Sequence, residues 1–338
     1  MSPLLSVDSL TVKLPVAGEL REVLKDVSFN LEAGKALGLV GESGSGKSMT
    51  VRTIARLLPA GADISGHVRF DGTDVFDLRG DALRRYRSGD VSMIFQDPRA
   101  HTNPVRRIGD FLTEALRSNQ KMPKKQAEAR AIELLVEVGI HDPERRLRQY
   151  PHELSGGLLQ RVMIASAVAT KPRLILADEP TTALDVTTQA EVMAILKRMQ
   201  AEYGMAMLYI THDLELASAV CDETVVFYAG QVIEQQIASQ LHRDPLHPYT
   251  AALVRARPEI DYRALRLPSL PGHPTTAYAA PADCAFAPRC GFAQDACRTA
   301  VPPLLQIGEQ GQSRCIRIPE LRGALLPLTD KTTEDVTR

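Results

Sequence analysis

Eight consecutive residues, Gly41-Glu42-Ser43-Gly44-Ser45-Gly46-Lys47-Ser48, have the types and spacing of a phosphate cradle, G-x-x-x-x-G-K-[ST]. Phosphate oxygens need many N–H donors at close range, and glycines let a backbone turn and approach without a Cβ in the way. A helix starting at Lys47 adds its unpaired N–H groups and the positive end of its dipole. Lys47 brings a mobile charge for the outer phosphates, and the Ser48 hydroxyl is a ligand for Mg²⁺. With Met49 behind it, this run is the candidate cofactor-binding segment. Such a site also needs carboxylates, and the apolar run Leu174-Ile175-Leu176-Ala177 ends in two, Asp178 and Glu179. At the carboxyl end of a buried strand, where ligands bind in open α/β sheets, Asp178 is placed to hold the Mg²⁺ shell and Glu179 to face an attacking water. Alone, an Asp-Glu pair could simply end a surface strand; beside the cradle it reads as functional.

These groups must be positioned by strands and helices, and the sequence supplies both. Ala36-Leu37-Gly38-Leu39-Val40 suits a buried strand. Residues 47–58 follow with Ile54, Leu57 and Leu58 at helical spacing, closed by Pro59 and Gly61. Residues 4–31 read as two strands around a turn at Gly18-Glu19, and 67–70 and 91–95 as further short strands. From residue 97 to 148 the texture turns polar and helical, with Ala131, Leu134, Leu135 and Val138 on one face of 124–138. Buried strands return at 173–177 and 205–210. This alternation predicts an α/β fold with a helical insertion at about 97–160. After about Asp244 prolines become frequent, four of the five cysteines fall between 284 and 315, and the residues from Pro327 read as a loose tail.

Leu154-Ser155-Gly156-Gly157-Leu158-Leu159-Gln160-Arg161 resembles the signature motif of ABC ATPases, departing from it at Leu158, where the family usually has Gln. Further ABC elements stand in the family's order: Gln96 as the Q-loop glutamine, Thr182-Ala183-Leu184-Asp185 as the D-loop, and His212 in Ile210-Thr211-His212-Asp213 as the switch histidine. The resemblance spans about residues 4–240. It implies an ABC-type P-loop NTPase, with a RecA-like core, an antiparallel β subdomain and a helical subdomain. It implies ATP and Mg²⁺ as cofactors, Lys47 and the backbone of residues 44–47 on the phosphates, and Ser48, Gln96 and Asp178 around Mg²⁺. It also implies Glu179 polarising water and His212 on the γ-phosphate. Ser155 can cap the following helix while Gly156 and Gly157 expose its first N–H groups, a second anion-binding end. The resemblance implies that this end, with Asp185 at the seam, completes the site of a second, head-to-tail ATPase subunit. In one respect the chain departs from many ABC ATPases, which stack adenine on an aromatic shortly after the first strand. Residues 1–28 contain no Phe, Tyr or Trp, so adenine is expected on Leu14, Val16 or backbone.

Asp244-Pro245-Leu246-His247-Pro248-Tyr249 resembles the His-Pro-Tyr segment of the peptide/nickel (Opp/Dpp) importers, and Cys284, Cys290, Cys297 and Cys315 resemble the cysteine motif of their C-terminal region. Some members carry a [4Fe–4S] cluster there. Four thiolates in a Pro-rich segment with little core suit a metal staple. Zn²⁺ is the runner-up, its usual ligand spacings being tighter, and four unliganded cysteines are a further reading. Disulfides are disfavoured in a reducing compartment. Cys221 stands apart and is expected in the core.

The resemblance assigns residues 1–245 to the ATPase domain and 246–338 to a C-terminal extension. Net charge −1 with 24% charged residues argues against a basic nucleic-acid binder. Residues 1–8 lack the pattern of a secretory signal and no run is long enough to cross a bilayer. The implied protein is the ATPase subunit of a peptide-type importer on the cytoplasmic face of the inner membrane. Its implied partners are two permeases, a second and non-identical ATPase, and, indirectly, an extracytoplasmic binding protein. The alternative, an ABC ATPase acting on nucleic acid or ribosomes, fits poorly: the chain holds one cassette and no long coiled-coil insertion between Lys47 and Ser155.

Overall fold

The run Ala36–Val40 is buried at every position, as a parallel strand covered on both faces must be, and it lies inside the larger of two sheets. The structure, a computed structural model, describes residues 2–182, 184–256, 270, 272–309 and 311–326. Ala183 and the tail from Pro327 lie outside the described residues. Along the chain the strands are β1 (Leu5–Val16), β2 (Glu19–Leu31), β3 (Ala36–Val40), β4 (Asp63–Phe70), β5 (Thr73–Asp74), β6 (Val91–Ile94), β7 (Leu174–Asp178), β8 (Ala206–Thr211), β9 (Glu223–Tyr228), β10 (Gln231–Ile237), β11 (Leu305–Ile307) and β12 (Gly311–Ser313). They form an antiparallel sheet, β2-β1-β4-β5, and an eight-stranded sheet, β11-β12-β10-β9-β3-β8-β7-β6, in which β9, β3, β8, β7 and β6 run parallel.

The two-residue period of a strand divides the interior into two cores. Leu174 and Leu176 of β7, with Ala206, Leu208 and Ile210 of β8, face one side. There the helix Lys47–Ile54 is packed between the two sheets by Val51 and Ile54. Ile175, Ala177, Met207 and Tyr209 face the other side, under the helices Ile108–Ser118, Lys124–Glu137, Gly156–Val168 and Val186–Tyr203. Cys221 is buried in that second core, as expected. The helical insertion is present, with Ile108, Leu112 and Leu116 on the buried face of its first helix. The helix after the phosphate loop is shorter than its pattern predicts. Arg56 adopts a left-handed conformation, φ 59°, which ends the helix as a C-terminal cap does and leaves Leu57 exposed.

The C-terminal segment is tied into the same architecture. β12 pairs antiparallel with β10, and β11 with β12, so Leu305–Ile307 and Gly311–Ser313 extend the main sheet. The His-Pro-Tyr residues have clear structural reasons. His247 Nδ1 accepts the Tyr249 N–H at 3.0 Å, capping the helix Pro248–Arg255, and Pro248 fits the first helical turn, where no N–H is needed. Complete burial pushes His247 down to about 3, keeping it a neutral acceptor.

Glu234 on β10 is buried beside this cap. Its Oε1 accepts the Leu246 N–H at 2.9 Å and Gln236 Nε2 at 2.7 Å, and burial pushes its carboxyl from 4.5 up to about 8. Below the unfolded value both states hold the proton. As pH rises from there towards 8 the unfolded chain ionises first, and stability falls by about 1.4 kcal/mol per pH unit. Glu234→Gln is therefore expected to gain thermal stability over the native chain at pH 8 and much less at pH 5. Melting curves at the two pH values test this; a constant difference rejects it.

Candidate functional site

The groups singled out by sequence leave the sheet along its carboxyl edge: residues 41–46 after β3, His212 after β8, Asp178 and Glu179 at the end of β7, and Gln96 just past β6. Gly46, at φ 109°, is the N-cap of the helix Lys47–Ile54. The Lys47 side chain threads back through the loop, donating to the carbonyls of Gly41 (2.8 Å) and Glu42 (2.9 Å) and to Ser45 Oγ (3.4 Å). Burial lowers its pKa, while Glu179, Asp178 and Glu42 oppose that shift. Ser48 Oγ donates to Asp178 Oδ1 at 2.8 Å. Burial raises the Asp178 pKa, and the Ser48 hydrogen bond counters it. Glu179 Oε2 accepts Gln96 Nε2 at 3.0 Å and the Thr182 hydroxyl at 2.8 Å, with His212 Nδ1 at 3.9 Å.

Residues 43–49, Gln96, Glu179 and His212 line one cleft of about 620 Å³, whose remaining wall is Val23, Thr276, Ala277 and Tyr278. That volume suits a small-molecule ligand. Three expected contacts are displaced from its surface. Gly41 and Glu42 do not line it: the Gly41 carbonyl faces Lys47 and the Glu42 carboxylate turns away to Arg289. Asp178 is buried beneath Ser48, whose hydroxyl it holds. The hydroxyl of Ser48, the carboxylate of Asp178 and the side-chain carbonyl of Gln96 are hard oxygen donors of the kind Mg²⁺ takes. Leu14 and Val16, expected with backbone as the adenine contact, do not line the cleft; Val23 and residues 276–278 form the part of its wall away from the phosphate loop.

Ser155, Gly156, Gly157 and Asp185 are not brought to this cleft. With Leu158, Leu184 and Thr188 they line another, of about 880 Å³, and the two share no lining residue. Ser155 caps the helix Gly156–Val168, accepting the Leu158 N–H at 3.4 Å. Asp185 caps the helix Val186–Tyr203, accepting Thr188 N–H at 3.0 Å and the Thr188 hydroxyl at 2.7 Å. Those bonds hold its carboxyl below the usual range. A Cβ on Gly157 would come within 2.6 Å of Thr188 Cγ2, so a larger residue there would force the Thr188 side chain to shift.

The tie between loop and C-terminal segment was not legible in the sequence. Arg289 grips Glu42 with two parallel bonds, Nη1–Oε2 at 2.7 Å and Nη2–Oε1 at 3.1 Å. Tyr249 OH accepts the Glu42 N–H at 2.9 Å. Arg289 is 5% exposed and borders Cys290 in sequence. The four cysteines expected as metal ligands do converge, lining one cavity with His247, Phe286 and Arg317. The cavity, about 20 Å³, has the size of one water. Among the described residues no group of three or more His, Cys, Asp or Glu side chains is arranged to hold a metal ion. Burial pushes the thiols of Cys284 and Cys290 up, and Cys315 up to about 11, whereas metal binding needs thiolates. The expected iron–sulfur or zinc site therefore gains no support from this geometry.

The profile of the ABC transporter family matches residues 24–182, and that of the oligopeptide/dipeptide transporter C-terminal region matches residues 233–297. The oligopeptide transport ATP-binding protein OppD of Haemophilus influenzae is 40% identical over 314 residues, covering 93% of this chain and 97% of that one. OppD of Mycobacterium tuberculosis is 42% identical over 325 residues, covering 96% of this chain and 53% of its own. Among solved structures, the dimeric ATP-binding cassette MJ0796 bound to ADP and Pi superposes with a TM-score of 0.62 at 29% identity, over 69% of this chain and 98% of that one.

Removing one partner of a buried, doubly bonded ion pair leaves the other uncompensated. Arg289→Ala is expected to destabilise the chain by about 2–4 kcal/mol, with Arg289→Lys recovering only part because an ammonium cannot make two parallel bonds. Urea unfolding measures both; an unchanged midpoint for Arg289→Ala means that the pair does not hold the loop.

Proposed function

The chain belongs to the ABC transporter family, in its oligopeptide/dipeptide branch, and from that premise we propose that it is the ATP-hydrolysing subunit of an importer for peptides or related solutes. The observation that carries the proposal is the division of anion-binding machinery between two clefts with no residue in common. One chain holds a phosphate loop with its acids, and on a separate surface a helix end capped by Ser155. Two chains placed head to tail supply each other's missing half. The dimeric state of MJ0796 supports this reading.

In the proposed site the backbone and ammonium of residues 44–47 bind the phosphates of ATP, and Ser48, Asp178 and Gln96 are the residues that would hold Mg²⁺. A bound Mg²⁺ supplies charge neutralisation on the phosphates. Gln96 and Thr182 fix Glu179 through Oε2, leaving Oε1 to accept a proton-bearing water and aim it at the γ-phosphate. His212 is the further contact on that phosphate. Ser155, Gly156, Gly157 and Asp185 serve the partner's nucleotide.

Residues 1–245 are taken as the ATPase domain and 246–338 as the extension. Among the described residues no helix is long and apolar enough to cross a membrane. Transport therefore assigns the membrane path to permease subunits, with this chain at the cytoplasmic face beside a second, non-identical ATPase. The resemblance of Cys284, Cys290, Cys297 and Cys315 to the cysteine motif of the peptide/nickel importers, and not the geometry of their cavity, motivates a metal site whose filling must deprotonate the thiols and widen the cavity, with [4Fe–4S] ahead of Zn²⁺.

Glu179→Gln, assembled with the partner subunits, is expected to lose ATP turnover by about 100-fold or more while still binding ATP and accumulating as a closed dimer. Phosphate release at the native rate removes Glu179 from its role. Anaerobic purification is expected to yield iron and acid-labile sulfide stoichiometric with the chain; zinc, or no metal in a folded protein, rejects the cluster.

A further inference from the structure

We infer that Tyr278, contributed by the C-terminal extension, is the platform on which the base of the bound nucleotide stacks. This deepens the ATP-site reading and rests on it. The need for such a platform comes from the sequence: the first 28 residues contain no aromatic, and neither Leu14 nor Val16 reaches the cleft. The wall that does reach it beyond the phosphate loop is Val23, Thr276, Ala277 and Tyr278.

The position of Tyr278 is built in. The turn Ala277–Ala279 is pinned by Gly230, the second of the two residues between β9 and β10. A Cβ on Gly230 would lie 2.5 Å from the Ala277 methyl and 2.7 Å from the Val23 carbonyl, so the turn sits as close as a bare Cα allows. The same glycine donates its N–H to the Ser45 carbonyl at 2.9 Å and accepts the Lys25 N–H at 2.8 Å. One residue thus joins β2, the phosphate loop and the turn that carries Tyr278. Ala277 is buried; the ring beside it is not. Among the described residues Tyr278 is the aromatic found with the exposed large hydrophobics, at 47%, whereas Tyr209, Tyr228 and Tyr249 are fully buried. Exposing a flat ring on the wall of a ligand cleft has no packing rationale. The Arg21 guanidinium lies over it, 5.4 Å from the centroid, a cation–π contact that orients the ring and leaves its opposite face for a second flat group. A purine is such a group, and aromatic stacking needs only its π-face, without reading its ring substituents.

The test is calorimetric titration of the full-length chain and of Tyr278→Ala and Tyr278→Phe, each first shown to melt as the native protein does. The probes are Mg·ATP, Mg·GTP and Mg·tripolyphosphate, the last of which has no base. Tyr278→Ala is expected to weaken ATP and GTP alike by about 5- to 150-fold, the range of one lost stacking contact, and to bind tripolyphosphate as before. Tyr278→Phe is expected to bind all three as the native chain does. Undiminished ATP affinity in Tyr278→Ala overturns the inference. So does a parallel loss for tripolyphosphate, which marks a disturbed phosphate loop, or a loss in Tyr278→Phe equal to that in Tyr278→Ala, which assigns the hydroxyl rather than the ring. If the native chain binds neither ATP nor tripolyphosphate, the underlying ATP-site reading fails instead.

Discussion

Everything at this site depends on holding one short stretch of backbone, residues 41–47, open at the carboxyl edge of a parallel sheet. Enough of its N–H groups must stay open to a ligand, and the Lys47 ammonium must be buried among its carbonyls. Neither is cheap: a buried lysine loses hydration, and a loop with inward donors has little cohesion of its own. The structure meets both demands by bracing the loop from several directions. Lys47 bonds to the carbonyls of Gly41 and Glu42. β3 beneath is locked between β8 and β9. Ser45 is tied to Gly230, and Glu42 to Arg289 and Tyr249. Two of these braces come from beyond residue 245, so the C-terminal extension is part of the phosphate site's frame and not an appendage to it.

The same constraint explains the division between clefts. A helix N-terminus binds an anion through N–H groups that lack a partner within the helix. The helix starts at Lys47 and Gly156 lie on surfaces with no common lining. The acids are placed with one end only. Asp178 is buried under Ser48 and Glu179 is held by Gln96 and Thr182. In the proposed reading, chemistry belongs to the first end and the second complements the site of a partner ATPase.

Much of this was legible from local pattern. The phosphate loop, the buried strands at 36–40 and 174–178, the helix at 124–137 and the paired acids each declare themselves within a few residues. Hydrogen bonding inside a loop or helix, and the alternation of a strand, are local properties. The family resemblance then put Gln96, Ser155, Asp185 and His212 in their order along the chain. Sequence reading overreached where a side chain's direction mattered. Glu42 belongs to the motif but turns its carboxylate from the cleft, and Leu14 and Val16 have the right chemistry for a base platform but lie elsewhere. Four cysteines at suggestive spacings meet around a cavity the size of one water, their thiols pushed up by burial.

The sequence by itself determined the kind of chemistry, the α/β class and the positions of the groups proposed to act on phosphate. Each of those rests on contacts between near neighbours in the chain. Only the tertiary structure decided which residues brace the loop and which wall completes the cleft. Glu42 meets Tyr249 across 207 residues and Arg289 across 247, and Tyr278 reaches the phosphate site only because Gly230 lets its turn settle against β2. At such separations no local spacing records a partner, since the topology of the sheet selects which segments arrive together.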